Sequence, residues 1–190
     1  MGARMADSSG VLIDFSKTLL GNDPIGPLSK LLWECQAIYG TEAANPLIRM
    51  FMSQNAATTA WHLADWTWMS CPPEKRTELA DVVGAADQSW PAFATRVREV
   101  SLDLAICREL ATAGKHVAIS RGEMKNLTVE VEHDDETKET RVWICIDGER
   151  IPDLDIYGRA LRWWIDLYIH MGFSEAARLQ EALDQVNGTD

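Results

Sequence analysis

The sequence has no Cys-x-x-Cys pair and no zinc-ligand spacing among its four cysteines, which are Cys35, Cys71, Cys107 and Cys145. We therefore expect reduced thiols that pack as small hydrophobic residues, with neither a metal site nor a cofactor. A glycine-rich phosphate loop, a nucleophile elbow and a His-Glu-x-x-His motif are also absent. Because no motif specifies a reaction, we expect a protein that is not an enzyme.

Long apolar runs are missing as well. No uninterrupted apolar stretch approaches the length that spans a bilayer, and Asp7 and Asp14 interrupt the first twenty residues where a secretion signal would need an apolar segment. The sequence therefore predicts a cytoplasmic protein that does not bind membranes.

Basic residues are scarce relative to acidic ones. The chain has 18 Lys and Arg against 29 Asp and Glu, which gives a formal net charge of -11. Nucleic acids are bound mainly through Lys and Arg at phosphates, so this charge disfavours direct nucleic-acid binding. It favours a basic protein partner, which could itself be a nucleic-acid-binding protein. Homo-oligomerisation is left open.

Hydrophobic periodicity predicts a mainly α fold, a helical bundle with a small antiparallel β insertion (α+β) at about 116–152, in one domain over 1–190. The predicted bundle has seven helical segments, some with specific cap residues. Thr41 is the expected cap before the segment 47–69, and Asp153 or Asp155 the expected cap of the helix that follows the insertion. The segments are 11–20, 28–39, 47–69, 74–83, one continuous helix over about 93–113, one helix from about 153 to 171, and one from Ser174 to about 186.

The period changes from helical to two within the insertion. Apolar residues alternate with polar ones over 127–132 and again over 142–147, and the polar stretch 134–139 joins the two runs. This pattern predicts a β-hairpin. Residues 117–120 are expected to add a strand, and the Asp147-Gly148 turn to start a return strand at Arg150.

One narrow polar strip lies in the otherwise apolar segment 47–69. Asn55, Thr58, His62 and Asp65 are spaced three, four and three apart, so they line one side of a helix. His62 and Asp65 could orient an imidazole as a general base, or place two metal ligands on one helix. The structural interpretation is a buried group of side chains that satisfy one another by hydrogen bonds, and we expect Asn55, His62 and Asp65 to be largely buried on that basis.

A second polar group lies where the long helix over 93–113 is expected to end, in the sequence CRELATAGKH with Arg108 and His116. Short helical domains of the HEPN superfamily, many of them RNases of toxin and defence systems, carry an Arg followed by a His near a helix end. This chain resembles them in those two residues, in size and in helical content, although seven residues separate Arg108 from His116, a longer spacing than in that family. The resemblance implies metal-independent RNA cleavage, with His116 as general acid or base and Arg108 stabilising the phosphorane, or an inactive relative of such an enzyme.

The hairpin carries the main binding hypothesis. Its alternation places Trp143 on the face opposite Val142 and Ile144, together with Arg141, and a tryptophan beside an arginine is typical of a binding hot spot. From 123 to 155 eleven acidic and four basic residues give -7 of the total -11. We therefore expect a regulatory or inhibitory binding protein that engages a basic partner, as small phage-encoded inhibitors do. The candidate binding residues are Glu130, Glu132, Asp134, Asp135, Glu136, Arg141 and Trp143.

Two other interpretations of the hairpin stay open. A helix could cover both of its faces, which would make Trp143 a core residue. The acidic side chains could also serve only to keep an exposed strand from aggregating.

Overall fold

The computed structural model describes residues 4–6, 12–14, 18–21, 23–40, 45–113 and 124–187. Within them the chain forms seven α-helices, one short 3-10 helix at Pro73–Lys75 and five strands, which confirms the mainly helical fold with a β insertion. The helices are α1 (Ile25–Gly40), α2 (Pro46–Ser70), α3 (Arg76–Val83), α4 (Trp90–Val100), α5 (Leu102–Ala113), α6 (Asp153–His170) and α7 (Ser174–Asn187). Among the described residues no helix is both long enough and apolar enough to cross a membrane.

Polar pairs fix the register of the two longest helices. Arg49 binds Asp153, Ser53 lies 2.8 Å from Tyr157, and the indole N–H of Trp164 donates to the carbonyl of Ala60 at 2.9 Å. In each of these pairs the α6 residue lies 104 positions after its α2 partner. The constant offset means that α2 and α6 run in the same direction, side by side through the core.

Small residues on α2 make this close packing feasible. Ala56, Ala57, Ala60 and Ala64 are fully buried, while α6 contributes large buried side chains such as Trp164. Small residues facing large ones let the two helices interdigitate without voids. One contiguous hydrophobic core results, to which α1, α5 and the sheet also contribute.

The β insertion forms a three-stranded antiparallel sheet in the order β3-β4-β5. Its inner face places Val142 and Ile144 in the core, where they are buried. The alternation predicted for the hairpin is confirmed, since Val129 pairs with Ile144 and Glu130 with Trp143. The strands are β3 (Thr128–His133), β4 (Thr140–Ile146) and β5 (Glu149–Pro152).

The first part of the chain differs from the prediction. The prediction of a short helix over 11–20 is wrong, because β2 (Leu12–Asp14) pairs antiparallel with β1 (Arg4–Ala6). A three-residue strand is too short to show a period, so the spacing of apolar residues there was misleading. The sequence between the two strands, Asp-Ser-Ser-Gly over 7–10, is rich in turn-forming residues.

Three boundaries also differ from the expectation. The continuous helix predicted over about 93–113 is two helices, because Ser101 is extended (φ -134°, ψ 105°) and its hydroxyl accepts a hydrogen bond from the N–H of Leu104 at 3.3 Å. The side chain that caps α2 is that of Asn45, whose Oδ1 accepts from Leu47 at 2.9 Å, and Thr41 lies outside the described residues. Pro152 holds the N-cap position of α6, and Asp153 is already within the first turn.

Candidate functional site

Trp143 is held in one orientation on the outer face of the sheet, the face that carries Glu130, Glu132, Arg141, Trp143 and Arg150. Its indole Nε1 donates to Glu132 Oε2 at 2.8 Å, and the guanidinium of Arg150 lies 4.7 Å from the ring centroid. The indole is partly exposed, while Arg150 and Glu132 on either side are exposed. A large aromatic surface is thus presented to solvent with its rotation restricted by two polar neighbours.

The acidic residues of the outer face are partly neutralised. Arg150 contacts both Glu130 (3.0 Å) and Glu132 (2.6 Å), so two carboxylates share one guanidinium. The hydrogen bond from Arg150, followed by that from Trp143, lowers the pKa of Glu132. Arg141 makes two hydrogen bonds to Glu139, at 2.9 and 2.8 Å, and lowers the pKa of that carboxyl in the same way.

Uncompensated negative charge collects instead at the hairpin tip, the turn that contains Asp134, Asp135 and Glu136. Asp134 Oδ1 accepts from the backbone N–H groups of Thr137 at 3.2 Å and Glu136 at 2.8 Å, and these bonds lower the pKa of its carboxyl. All three acidic side chains are exposed, and the adjacent cation Lys138 approaches Asp135 only to 3.9 Å. The tip therefore carries a net negative charge at neutral pH.

A groove of about 600 Å³ runs from the tip to the start of α6. Trp143, Tyr39 at the end of α1, Lys138 and Arg141 are among the residues that line it. The buried Arg49–Asp153 pair also lines it. The groove and the outer face are continuous at Trp143, which belongs to both.

The polar strip on α2 is placed differently from the expectation. Asn55 and Asp65 are exposed and His62 is half-buried, so the prediction that these side chains are largely buried is wrong for Asn55 and Asp65. Thr58 donates to the carbonyl of Gln54 at 2.8 Å within the helix. The strip therefore lies at the margin of the core and not within it. A shared hydrogen-bond group around His62 stays a prediction.

Of the two residues that carry the resemblance to HEPN domains, the structure describes Arg108. Arg108 lies on α5 and its guanidinium contacts the carboxylate of the adjacent Glu109 at 2.6 Å. His116 lies outside the described residues. The Glu109 carboxylate neutralises the charge with which Arg108 would stabilise a phosphate.

The four cysteines are free, as the sequence predicts. Burial raises the pKa of the Cys35 thiol to about 12 and raises those of Cys71 and Cys107 as well. These three thiols are therefore protonated at neutral pH and unsuited to nucleophilic attack. Over the described part of the chain, no group of three or more His, Cys, Asp and Glu side chains is arranged to hold a metal ion.

Sequence reasoning missed the role of Arg150. The turn at Asp147-Gly148 pairs Arg150 with Cys145, and this register places Arg150 on the same face as Trp143. The signal was present in the sequence, since Asp147-Gly148 marks a tight turn and strand alternation then fixes the face of each later residue.

Comparisons with known proteins return no match, whether the chain is scanned against protein-family models, searched against curated proteins or searched against solved structures.

Proposed function

We propose that this chain is a non-enzymatic binding protein, regulatory or inhibitory, that engages a basic protein partner through the outer face of the sheet and the hairpin tip. The observation that carries the proposal is the orientation of Trp143, which Glu132 and Arg150 fix on a solvent-facing surface. A tryptophan held in its binding orientation loses little side-chain entropy on association, and such residues contribute most to the free energy of binding at protein interfaces.

The charged residues of the hairpin lie in two regions, the outer face and the tip, which have different roles in binding. The outer face is nearly compensated, because Arg150 and Arg141 pair with its glutamates. Such a face is less costly to desolvate than a set of unpaired carboxylates. The tip keeps its charge, so it supplies the long-range attraction that guides a basic partner to the surface.

Replacing Trp143 with alanine is expected to weaken partner binding by about 30-fold or more, which corresponds to roughly 2 kcal/mol. The loss arises because aromatic area at the centre of the interface is removed. The partner would first be captured by photo-crosslinking from a benzophenone amino acid at position 141, then purified and titrated by calorimetry. Trp33→Ala is the matched control, because Trp33 is 63% exposed on α1 and does not line the groove. Equal affinities for both variants and the wild type would remove the outer face from the interface.

The tip acts on the rate of association. The variant Asp134→Lys, Asp135→Lys, Glu136→Lys should lower the on-rate and leave the off-rate nearly unchanged, and salt should reduce the difference because it shortens the screening length. The triple variant Glu74→Lys, Glu78→Lys, Asp81→Lys changes the net charge equally at exposed positions around α3. If both triple variants slow association alike, the net charge of the chain and not the tip is responsible.

The alternative, a HEPN-like RNase, makes an opposite prediction about chemistry. We expect the purified protein to leave a labelled RNA intact at neutral pH, since Arg108 is paired with Glu109 and the net charge of -11 repels RNA. Gel analysis of the RNA over time measures this. Cleavage that disappears in Arg108→Ala and His116→Ala, with circular dichroism unchanged, would establish the enzyme and displace the binding proposal.

A further inference from the structure

Over the described residues, no strand pairs with the outer edge of β3, and the first five residues of β3 are exposed. β3 is one of the two edge strands of the sheet over the described residues, and the strand expected at 117–120 lies outside them. The N–H of Asp134 donates toward β4, to the carbonyl of Glu139 at 2.9 Å. N–H directions alternate along an antiparallel strand, so those of Val129, Val131 and His133 point away from β4. A strand with such an edge can template the addition of another extended segment.

Apolar surface continues to this edge on the inner face of the sheet. Val129 is 49% and Val131 37% exposed, although both occupy positions that alternate with the outward glutamates. Val129 also borders a cavity of about 220 Å³ shared with Met50 of α2 and Leu110 of α5. The inward side chains of an added strand would cover this surface and extend the core by one strand.

The negative charge beside β3 determines which kind of segment can pair with its edge. On the outer face Glu130 and Glu132 both contact Arg150, and the acidic tip continues from the end of β3, so the uncompensated negative charge of the tip lies next to the edge. A second copy pairing through β3 would bring the glutamates of two chains together, which is unfavourable. A segment with Lys or Arg beside Glu130 and Glu132 gains attraction at the same positions.

From these features we infer that the partner adds an extended segment to β3, with apolar side chains facing Val129 and Val131 and basic side chains beside Glu130 and Glu132. This inference rests on the proposed binding function and supplies the docking mode and the chemistry of the partner. Main-chain hydrogen bonds to the edge provide affinity in this mode, and the alternating side chains provide specificity.

The test uses two synthetic peptides of equal composition, one alternating lysine and valine and one with the lysines and valines in separate blocks. The alternating peptide should bind the full chain about 10-fold more tightly or better, a difference near 1.4 kcal/mol. In NMR spectra it should slow the hydrogen exchange of the amides of Val129, Val131 and His133. Equal binding of both peptides, no binding of either, or binding without protection of those amides would each overturn the inference.

A backbone substitution gives an independent measurement. Val131→Pro removes one outward N–H, and proline is tolerated at an edge position whose N–H faces solvent. It should weaken binding of the alternating peptide about 10-fold or more. Val131→Thr keeps both the N–H and the branched shape, so its affinity for the peptide should fall less. The exchange experiment on the wild type decides the question if the proline variant does not fold.

The captured partner separates this inference from the proposed function. If Val131→Pro binds the partner as the wild type does while Trp143→Ala binds it weakly, the outer face is the interface and strand addition is wrong. If neither variant affects partner binding, both proposals fail.

Discussion

Replacing Arg49 with methionine is expected to lower the free energy of unfolding by about 3–5 kcal/mol, as measured by urea denaturation. Arg49 and Asp153 are 4% and 1% exposed, and the guanidinium makes two hydrogen bonds to the carboxylate, at 2.8 and 2.6 Å. Without Arg49 the Asp153 carboxylate is buried without a counter-charge. The same loss is expected for Asp153→Leu, which leaves the guanidinium unpaired.

The double variant Arg49→Met, Asp153→Leu should be more stable than either single variant, because it removes both charges and fills the site with apolar atoms. Arg159→Ala is the control, since Arg159 forms a similar bidentate pair with Asp103 but is half-exposed. That substitution should cost about 1 kcal/mol or less. Losses that simply add in the double variant would contradict a coupled buried pair.

The Arg49–Asp153 pair also links the fold to the proposed binding site. It joins the first turns of α2 and α6, and both residues line the groove together with Trp143 and Tyr39. Asp153 follows β5 immediately, so the pair fixes the point at which the sheet leaves the bundle. A variant at this position is therefore expected to affect both stability and partner binding, and Trp143→Ala is the cleaner probe of the interface.

The sequence predicted the fold best where the helical spacing of apolar residues continues over several turns. The patterns over 28–39, 47–69 and 153–171 predicted α1, α2 and α6, because each long helix repeats its apolar residues over several turns. The break at Ser101 was hidden, since Phe93 and Val97 of α4 and Leu104 and Cys107 of α5 are all buried in the same core. The apolar spacing continues across the break even though the backbone does not.

The candidate site was partly readable for a similar reason. Alternation alone places Trp143 opposite Val142, but its contact with Arg150 depends on register across a second turn. The exposure of Asn55 and Asp65 depends on where α1 and α5 pack around α2. This exposure is a property of tertiary packing, which the residue pattern within α2 does not predict. The neutralised outer face and the charged tip likewise differ because of side-chain pairing between strands distant in sequence.

Trp164→Ala is expected to cost about 3–5 kcal/mol of unfolding free energy, among the largest effects for a single substitution in this chain. Its side chain is fully buried, its ring meets Trp163 edge-on with centroids 4.8 Å apart, and its N–H donates to the Ala60 carbonyl at 2.9 Å. Truncation leaves a cavity between α2 and α6, where the fully buried alanines of α2 are too small to fill it.

Two tryptophan variants give this prediction its controls. Trp164→Phe keeps most of the apolar volume and removes the N–H, so it should cost roughly 1–2 kcal/mol. Trp143→Ala should change stability by only about 1 kcal/mol or less, because its indole lies on the outer face and not in the core. Calorimetric melting of the three variants gives the order directly. A Trp143 variant as unstable as Trp164→Ala would show that the outer-face indole supports the fold, and its effect on partner binding would then reflect unfolding and not a lost contact.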